Sequence, residues 1–182
     1  MGKFTLKRED TVLFVIDIQE RLVPVMKYKD QVIDNNKILL TAAKEMDFPV
    51  IATEQYPKGL GRTVPDLIDS IGEENIYAKN SFTAYTDEVE EALKSLGKKK
   101  VLLTGMETHV CVFQTARDLI NAGYEVYLVK DGVASRTKAN YLNALDLIKS
   151  LGAIITNTET AVFDLLKLSG TPEFKIMSKM IK

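Results

Sequence analysis

Short unbroken apolar runs alternate along this chain with longer stretches whose apolar positions recur at helical spacing. The first run, Thr11-Val12-Leu13-Phe14-Val15-Ile16-Asp17, is rich in β-branched and aromatic side chains. Such a run suits a strand covered on both faces, as in a parallel sheet. Residues 30–46 read next as a helix, with Asp30 as its N-cap and Val32, Leu39, Ala43 and Met46 near one face. Pro49 to Thr53 is expected as a second strand. Residues 54–72, with Pro57, Gly59, Gly61 and Pro65, are expected to be mostly loop. A third strand is predicted over Asn75 to Ala78. A helix follows over 87–96, with Val89, Leu93 and Leu96 inward and Gly97 as its stop. Val101 to Thr104 reads as strand, Val112 to Gly123 as helix and Tyr124 to Val129 as strand. Residues 138–150 read as a helix with Tyr141, Leu142, Leu145 and Ile148 inward, and Ala153 to Ile155 as the last strand. Two short helices close the chain, Thr158 to Leu166 and one opened by Thr171 as N-cap and Pro172 at N1.

Successive βα units of this kind predict an α/β fold, a parallel sheet of about six strands between layers of helices. In such sheets the site lies beyond the carboxyl ends of the strands. At 182 residues the chain is long enough for one domain with a substantial core, and residues 1–182 are read as one. Lysine and arginine number 24 against 25 acids, a net charge of -1, which does not suggest a nucleic-acid surface. The basic run Lys98-Lys99-Lys100 reads as a solvated connection. No apolar run approaches a membrane span. The opening Met-Gly-Lys-Phe-Thr-Leu lacks a signal-peptide apolar region, and Leu6 stands where a myristoylation signal carries Ser or Thr. With a single cysteine, which cannot form an internal disulfide, a cytoplasmic location is the expectation.

The carboxyl-end rule selects the chemistry. Asp17 ends the first strand, Glu54 follows the second, Lys79 the third, Cys111 the fourth and Asp131 the fifth. Cys111 and His109 are the only cysteine and histidine, and both lie in Gly105-Met106-Glu107-Thr108-His109-Val110-Cys111-Val112, between a strand and an amphipathic helix. Unpaired N–H groups and the helix dipole would favour a thiolate at such a turn. A thiol nucleophile also needs a proton acceptor and a nearby cation, which Asp17 and Lys79 could supply. Each residue has a plainer role open to it. Cys111 could be a small core hydrophobe, Asp17 a turn cap, Lys79 a solvated loop residue and His109 a structural or pocket-lining group. One histidine and one cysteine make a poor metal site. Gly59-Leu60-Gly61 lacks the strand–helix setting and the lysine of a phosphate loop.

Three ordered pieces make the chain resemble the isochorismatase-like cysteine hydrolase superfamily. They are Val15-Ile16-Asp17-Ile18-Gln19, Tyr77-Ala78-Lys79-Asn80-Ser81-Phe82, and Gly105-Met106-Glu107-Thr108-His109-Val110-Cys111-Val112 with Thr115-Ala116 one turn on. The segment Thr53-Glu54-Gln55-Tyr56-Pro57-Lys58-Gly59-Leu60-Gly61 and the wording Glu107-Thr108-His109-Val110-Cys111 are most similar to the isochorismatase domain-containing proteins. The resemblance implies a Rossmann-like three-layer α/β/α sandwich and an Asp17–Lys79–Cys111 triad. It implies an oxyanion hole from the backbone N–H groups of Glu107 and Cys111, with a cis peptide at Met106–Glu107. It further implies a homo-oligomer acting on a small molecule without metal or cofactor. Gln19, Tyr56 and Phe82 are candidates for the pocket wall, although Tyr56 and Phe82 could equally be core residues. Metal-dependent nicotinamidases carry an Asp and histidines after the second strand, where this chain has Glu54-Gln55-Tyr56-Pro57. Isochorismatases that cleave a vinyl ether lack the cysteine. The expected chemistry is therefore hydrolysis of an amide or related C–N bond through a thioester. A binding protein that keeps the fold without turnover, and a redox-sensing thiol, are the alternatives.

Overall fold

The computed structural model describes residues 4–181. Six strands form one wholly parallel sheet: β1 (Thr11–Ile16), β2 (Val50–Gln55), β3 (Ile76–Lys79), β4 (Lys100–Met106), β5 (Glu125–Ala134) and β6 (Ile154–Thr156). Their order is β3-β2-β1-β4-β5-β6. The chain thus builds outward from β1 in one direction, then returns to build from β4 in the other. The crevice between the carboxyl ends of β1 and β4 is the switch point of the sheet, where this class of fold binds ligands.

β1 shows why the sheet is buried on both sides. Leu13 and Val15 enter one core with Leu39, Leu40 and Met46, while Val12, Phe14 and Ile16 enter the other with Val89, Leu93, Val112 and Leu119. The period-two alternation of a strand sends successive side chains to opposite faces. Helices α1 (Lys29–Met46), α3 (Pro65–Ile71), α7 (Thr158–Leu166) and α8 (Pro172–Met180) cover the first face. Helices α4 (Asp87–Leu96), α5 (Phe113–Asn121) and α6 (Lys138–Ser150) cover the second. The three-layer α/β/α sandwich is as expected.

Several local expectations are corrected. β2 runs on to Gln55, and residues 54–72 hold α2 (Pro57–Leu60) and α3 rather than mostly loop. Pro57 and Pro65 stand at helix starts, where the missing N–H costs nothing, so here they open helices instead of breaking them. Leu67 and Ile71, one turn apart, are the buried stripe of α3. Helix α1 starts after Tyr28, in the left-handed region, which leaves Asp30 in the first turn and not at the cap. β4 continues through Met106 and β5 through Ala134, both past their expected ends. Leu142 of α6 is exposed rather than inward. Lys100 is buried and donates through Nζ to Thr5 O, so only part of the basic run is solvated. The apolar face of α8 packs on its own domain, through Met177 in the core and Phe174 edge-on to Phe163.

Gly105 allows β4 to pass tightly beside β1. Its φ is +124°, and a Cβ there would lie 2.0 Å from Ile16 O. Gly105→Ala is expected to lower unfolding stability by about 3 kcal/mol or more, because both the backbone region and the space are denied to alanine. The shift of the denaturant midpoint measures this, and a loss under about 1 kcal/mol would refute it.

Candidate active site

Asp17 is the first residue beyond β1, with φ +51° and its N–H donating to Thr53 O at 3.1 Å. Its side chain is fully buried. Lys79 ends β3, two strands away, a span of about 10 Å that only a long side chain bridges. It does so. Lys79 Nζ donates to Asp17 Oδ2 at 2.7 Å, and also reaches Gln55 Oε1 at 2.7 Å, Ser81 O at 3.2 Å and Phe82 O at 3.3 Å. Thr53 Oγ1 donates to Asp17 Oδ1 at 2.8 Å. The Cys111 thiol lies against the same carboxylate and the Glu107 peptide lies against the sulfur, each near enough to shift the thiol. The structure thus brings together the acid, lysine and thiol that lie far apart in the chain.

Electrostatics corrects one expectation. Burial and the adjoining Asp17 carboxylate push the Cys111 thiol up to about 12, against the opposing pull of Lys79 and the Glu107 N–H. Burial likewise pushes the Asp17 carboxyl up, against Lys79, Thr53 and the thiol. Burial and the carboxylate therefore oppose the thiolate that a helix dipole would favour. The physical reason is position. Cys111 sits in a π-helical turn, Thr108–Val112, before α5 begins, buried and facing Asp17. Near an ionised carboxylate in a desolvated setting, the weak field of a helix end loses.

The π turn is well tied. The Met106–Glu107 peptide is cis, as the resemblance implies. Glu107 O accepts from Val110 N at 3.1 Å and Val112 N at 3.2 Å. Thr115 Oγ1 donates to Cys111 O at 2.6 Å and accepts from Ala84 N at 2.8 Å, joining the turn to the loop after Lys79. Among the described residues, Thr108 Oγ1 has no hydrogen-bond partner and is buried. The Glu107 side chain, 11% exposed, accepts at Oε2 from Arg136 N and Arg136 Nε, both at 3.1 Å. His109 pairs through Nδ1 with Ser135 Oγ at 3.0 Å and through Nε2 with Asn140 Nδ2 at 3.3 Å. His109 is thus held by side chains in the structural role left open for it.

The remaining candidates fall elsewhere. Gln19 is fully buried and its amide is consumed by backbone, Nε2 donating to Gln55 O and Gly61 O while Oε1 accepts from Gln55 N. It anchors a loop and does not form a pocket wall. Tyr56 and Phe82 are 54% and 56% exposed, which excludes the core role. Tyr56 lines an open cavity of about 520 Å³ with Pro57, Ala78, Lys79 and Asn80, and Phe82 touches the site through its carbonyl. Glu54 faces away from Asp17 and holds Arg62 and Thr63, and Asp131 accepts from Thr158 at the start of α7. Thr53 and Gln55 are the functional neighbours that reading missed. They lie either side of Glu54, so strand parity alone would have sent them to the opposite face.

An isochorismatase domain matches residues 11–160. The isochorismatase domain-containing protein 1 of Salmo salar is 40% identical over 94% of this chain, and the chain spans 61% of that protein's length. The secreted isochorismatase effector Isc1 of Phytophthora sojae is 40% identical over 94% of this chain and 84% of its own. The structure of the MAR1 ribonuclease from Caenorhabditis elegans superposes with a TM-score of 0.92 at 37% identity, covering 97% of this chain and 92% of that one. Among the described residues no helix is long and apolar enough to cross a membrane. On domain match, relatives and fold together, the chain belongs to the isochorismatase family.

Proposed function

We propose that the protein is a cysteine hydrolase that opens an amide or related C–N bond of a small molecule through a thioester on Cys111. One observation carries this reading: the chain's only thiol is buried beside the Asp17 carboxylate, which Lys79 Nζ holds at 2.7 Å. As Sγ attacks the carbonyl carbon, the thiol proton passes to Asp17, a C–S bond forms and the C=O π electrons move to oxygen. The backbone N–H groups of Glu107 and Cys111 receive that oxyanion, each such donor contributing about 3 kcal/mol to barrier lowering. On collapse the C–N bond breaks and Asp17 protonates the leaving nitrogen. Water then adds to the thioester, giving its proton to Asp17; the C–S bond breaks and the thiol is restored. Burial suits Asp17 to this exchange, because a desolvated carboxylate is a stronger base than one in water. Lys79, fully paired, opposes that upward push.

This reading treats the chain as one catalytic domain and, as its resemblance implies, a homo-oligomer, with the cytoplasmic location that its single cysteine suggests. The secreted Phytophthora sojae relative makes location a separate question. The Caenorhabditis elegans neighbour bears the name of a ribonuclease. RNA therefore enters the substrate test beside small amides.

Cys111→Ala is expected to abolish turnover across a panel of small amides while the melting curve keeps its shape. Wild-type protein quenched during turnover should carry an acyl mass on Cys111. Undiminished hydrolysis by pure Cys111→Ala protein overturns the mechanism, and Cys111-dependent RNA breakdown without amide turnover replaces the substrate class.

Proton order gives a sharper check. With the thiol near 12, iodoacetamide alkylation of resting protein should climb from pH 7 to pH 10 without a plateau. Asp17→Asn removes a group that raises the thiol and leaves Lys79, which lowers it. The variant should therefore alkylate faster than wild type at pH 8 while losing hydrolysis. Slower alkylation in Asp17→Asn would contradict the assigned electrostatics.

Lys79→Met strips a buried carboxylate of its counter-ion and is expected to cost about 3–5 kcal/mol of stability. The Asp17 carboxyl, already raised, then rises further in the folded protein. A folded-state carboxyl pKa above the unfolded one means stability falls as pH rises beyond the ordinary carboxylate range. The loss measured by denaturation should thus be larger at pH 8 than at pH 5, and the reverse order would refute it.

A further inference from the structure

We propose that the Glu107 side chain is a positioning group: gripped by Arg136, it fixes the peptide whose N–H lies on the Cys111 sulfur, and so aims the oxyanion site. This inference rests on the cysteine-hydrolase reading. Glu107 Oε2 is held from two directions of one residue, Arg136 N and Arg136 Nε, both at 3.1 Å. His109 Nδ1 lies 4.0 Å from the same oxygen. The carboxylate is nearly buried while the arginine side chain is 59% exposed, so the grip is laid over the turn from outside. A backbone donor and a guanidinium donor on one oxygen restrict the side chain to one orientation. The residue that carries this side chain also carries the amide facing the sulfur and the carbonyl that closes the turn on Val110 and Val112. Orienting the side chain therefore orients the peptide. The clamp comes from the segment just past β5, so the donor is aimed by the neighbouring strand and not by its own turn alone.

Two alkylating probes separate aim from thiol reactivity. Acrylamide forms a C–S bond at its β-carbon and sends the C=C electrons onto the carbonyl oxygen; the thiol proton passes to solvent and the α-carbon takes one back from water. Its transition state needs an oxyanion donor. Iodoacetamide forms a C–S bond as C–I breaks, with charge leaving on iodide and the thiol proton passing to solvent. Its transition state needs no such donor. Because the chain has one cysteine, intact mass reports Cys111 alone. The ratio of the two second-order rates is measured at pH 8 for wild type, Arg136→Ala, Glu107→Ala and Glu107→Gln, with glutathione as a free thiol.

Wild type should show a ratio at least about tenfold above glutathione. Losing an oxyanion donor costs about a hundredfold, and misaiming one is expected to cost about tenfold. Arg136→Ala and Glu107→Ala should thus fall toward the free-thiol ratio. Glu107→Gln, whose amide oxygen still accepts from both Arg136 donors, should retain most of the wild-type ratio. An unchanged ratio in folded Arg136→Ala and Glu107→Ala overturns the clamp and leaves the cysteine mechanism standing. A Glu107→Gln ratio as low as that of Glu107→Ala also overturns it, in favour of a charge effect. A wild-type ratio equal to glutathione overturns the oxyanion site itself. If Glu107→Ala does not fold, Arg136→Ala decides the question, since its side chain is mostly solvated.

Discussion

The site hangs on one buried ion pair. Asp17 and Lys79 come from strands β1 and β3, with β2 between them, and meet at 2.7 Å out of water. Desolvating two charges costs several kcal/mol each, and their attraction offsets this only when every remaining lone pair and proton is matched. Here the matching groups are Thr53 on Asp17, the Gln55 amide oxygen on Lys79, and the carbonyls of Ser81 and Phe82. The ends of three strands and the loop after Lys79 must therefore hold position together. An apolar pair would serve stability as well. The pair makes physical sense as a device that keeps a carboxylate charged, dry and next to a sulfur.

That device also sets the state of the sulfur. A thiolate beside that carboxylate would place two negative charges in a desolvated setting, which pushes the thiol up. A buried thiol pushed up in this way is a poor target for oxidants, which weighs against the redox-sensor alternative.

Arg136 and Ser135 reach the π turn because β5 is irregular. The register between β4 and β5 shifts between Leu103 and Gly105, and the additional β5 residues are held from α1. Asn35 Nδ2 donates to Asp131 O at 2.8 Å and Asn36 Nδ2 to Gly132 O at 3.2 Å, while Thr104 Oγ1 donates to Asn36 Oδ1 at 2.7 Å. These contacts satisfy buried backbone groups that the shifted ladder leaves open. They also deliver the residues just past β5 to His109 and Glu107. One local irregularity therefore serves the turn that carries Cys111.

The apolar runs and their helical intervals determined the α/β layering, because burial on both faces of a strand and on one stripe of a helix is written in local periodicity. The order of Asp17, Lys79 and Cys111 at strand ends was legible for the same reason, as was the start of α8 at Thr171-Pro172. The extended ends of β4 and β5 were not, since Gly105, Lys130 and Asp131 look like turn residues until neighbouring strands claim their backbone. Prolines 57 and 65 look alike whether they break a helix or open one, and only the packing of Leu67 and Ile71 tells which. Tertiary structure alone decided that Thr53 and Gln55 serve the ion pair, that Gln19 ties down a loop, and that Arg136 grips Glu107. It alone decided that the thiol is pushed up. A local sequence specifies the field of its own helix, whereas burial and a carboxylate arriving from 94 positions earlier in the chain are properties of the fold.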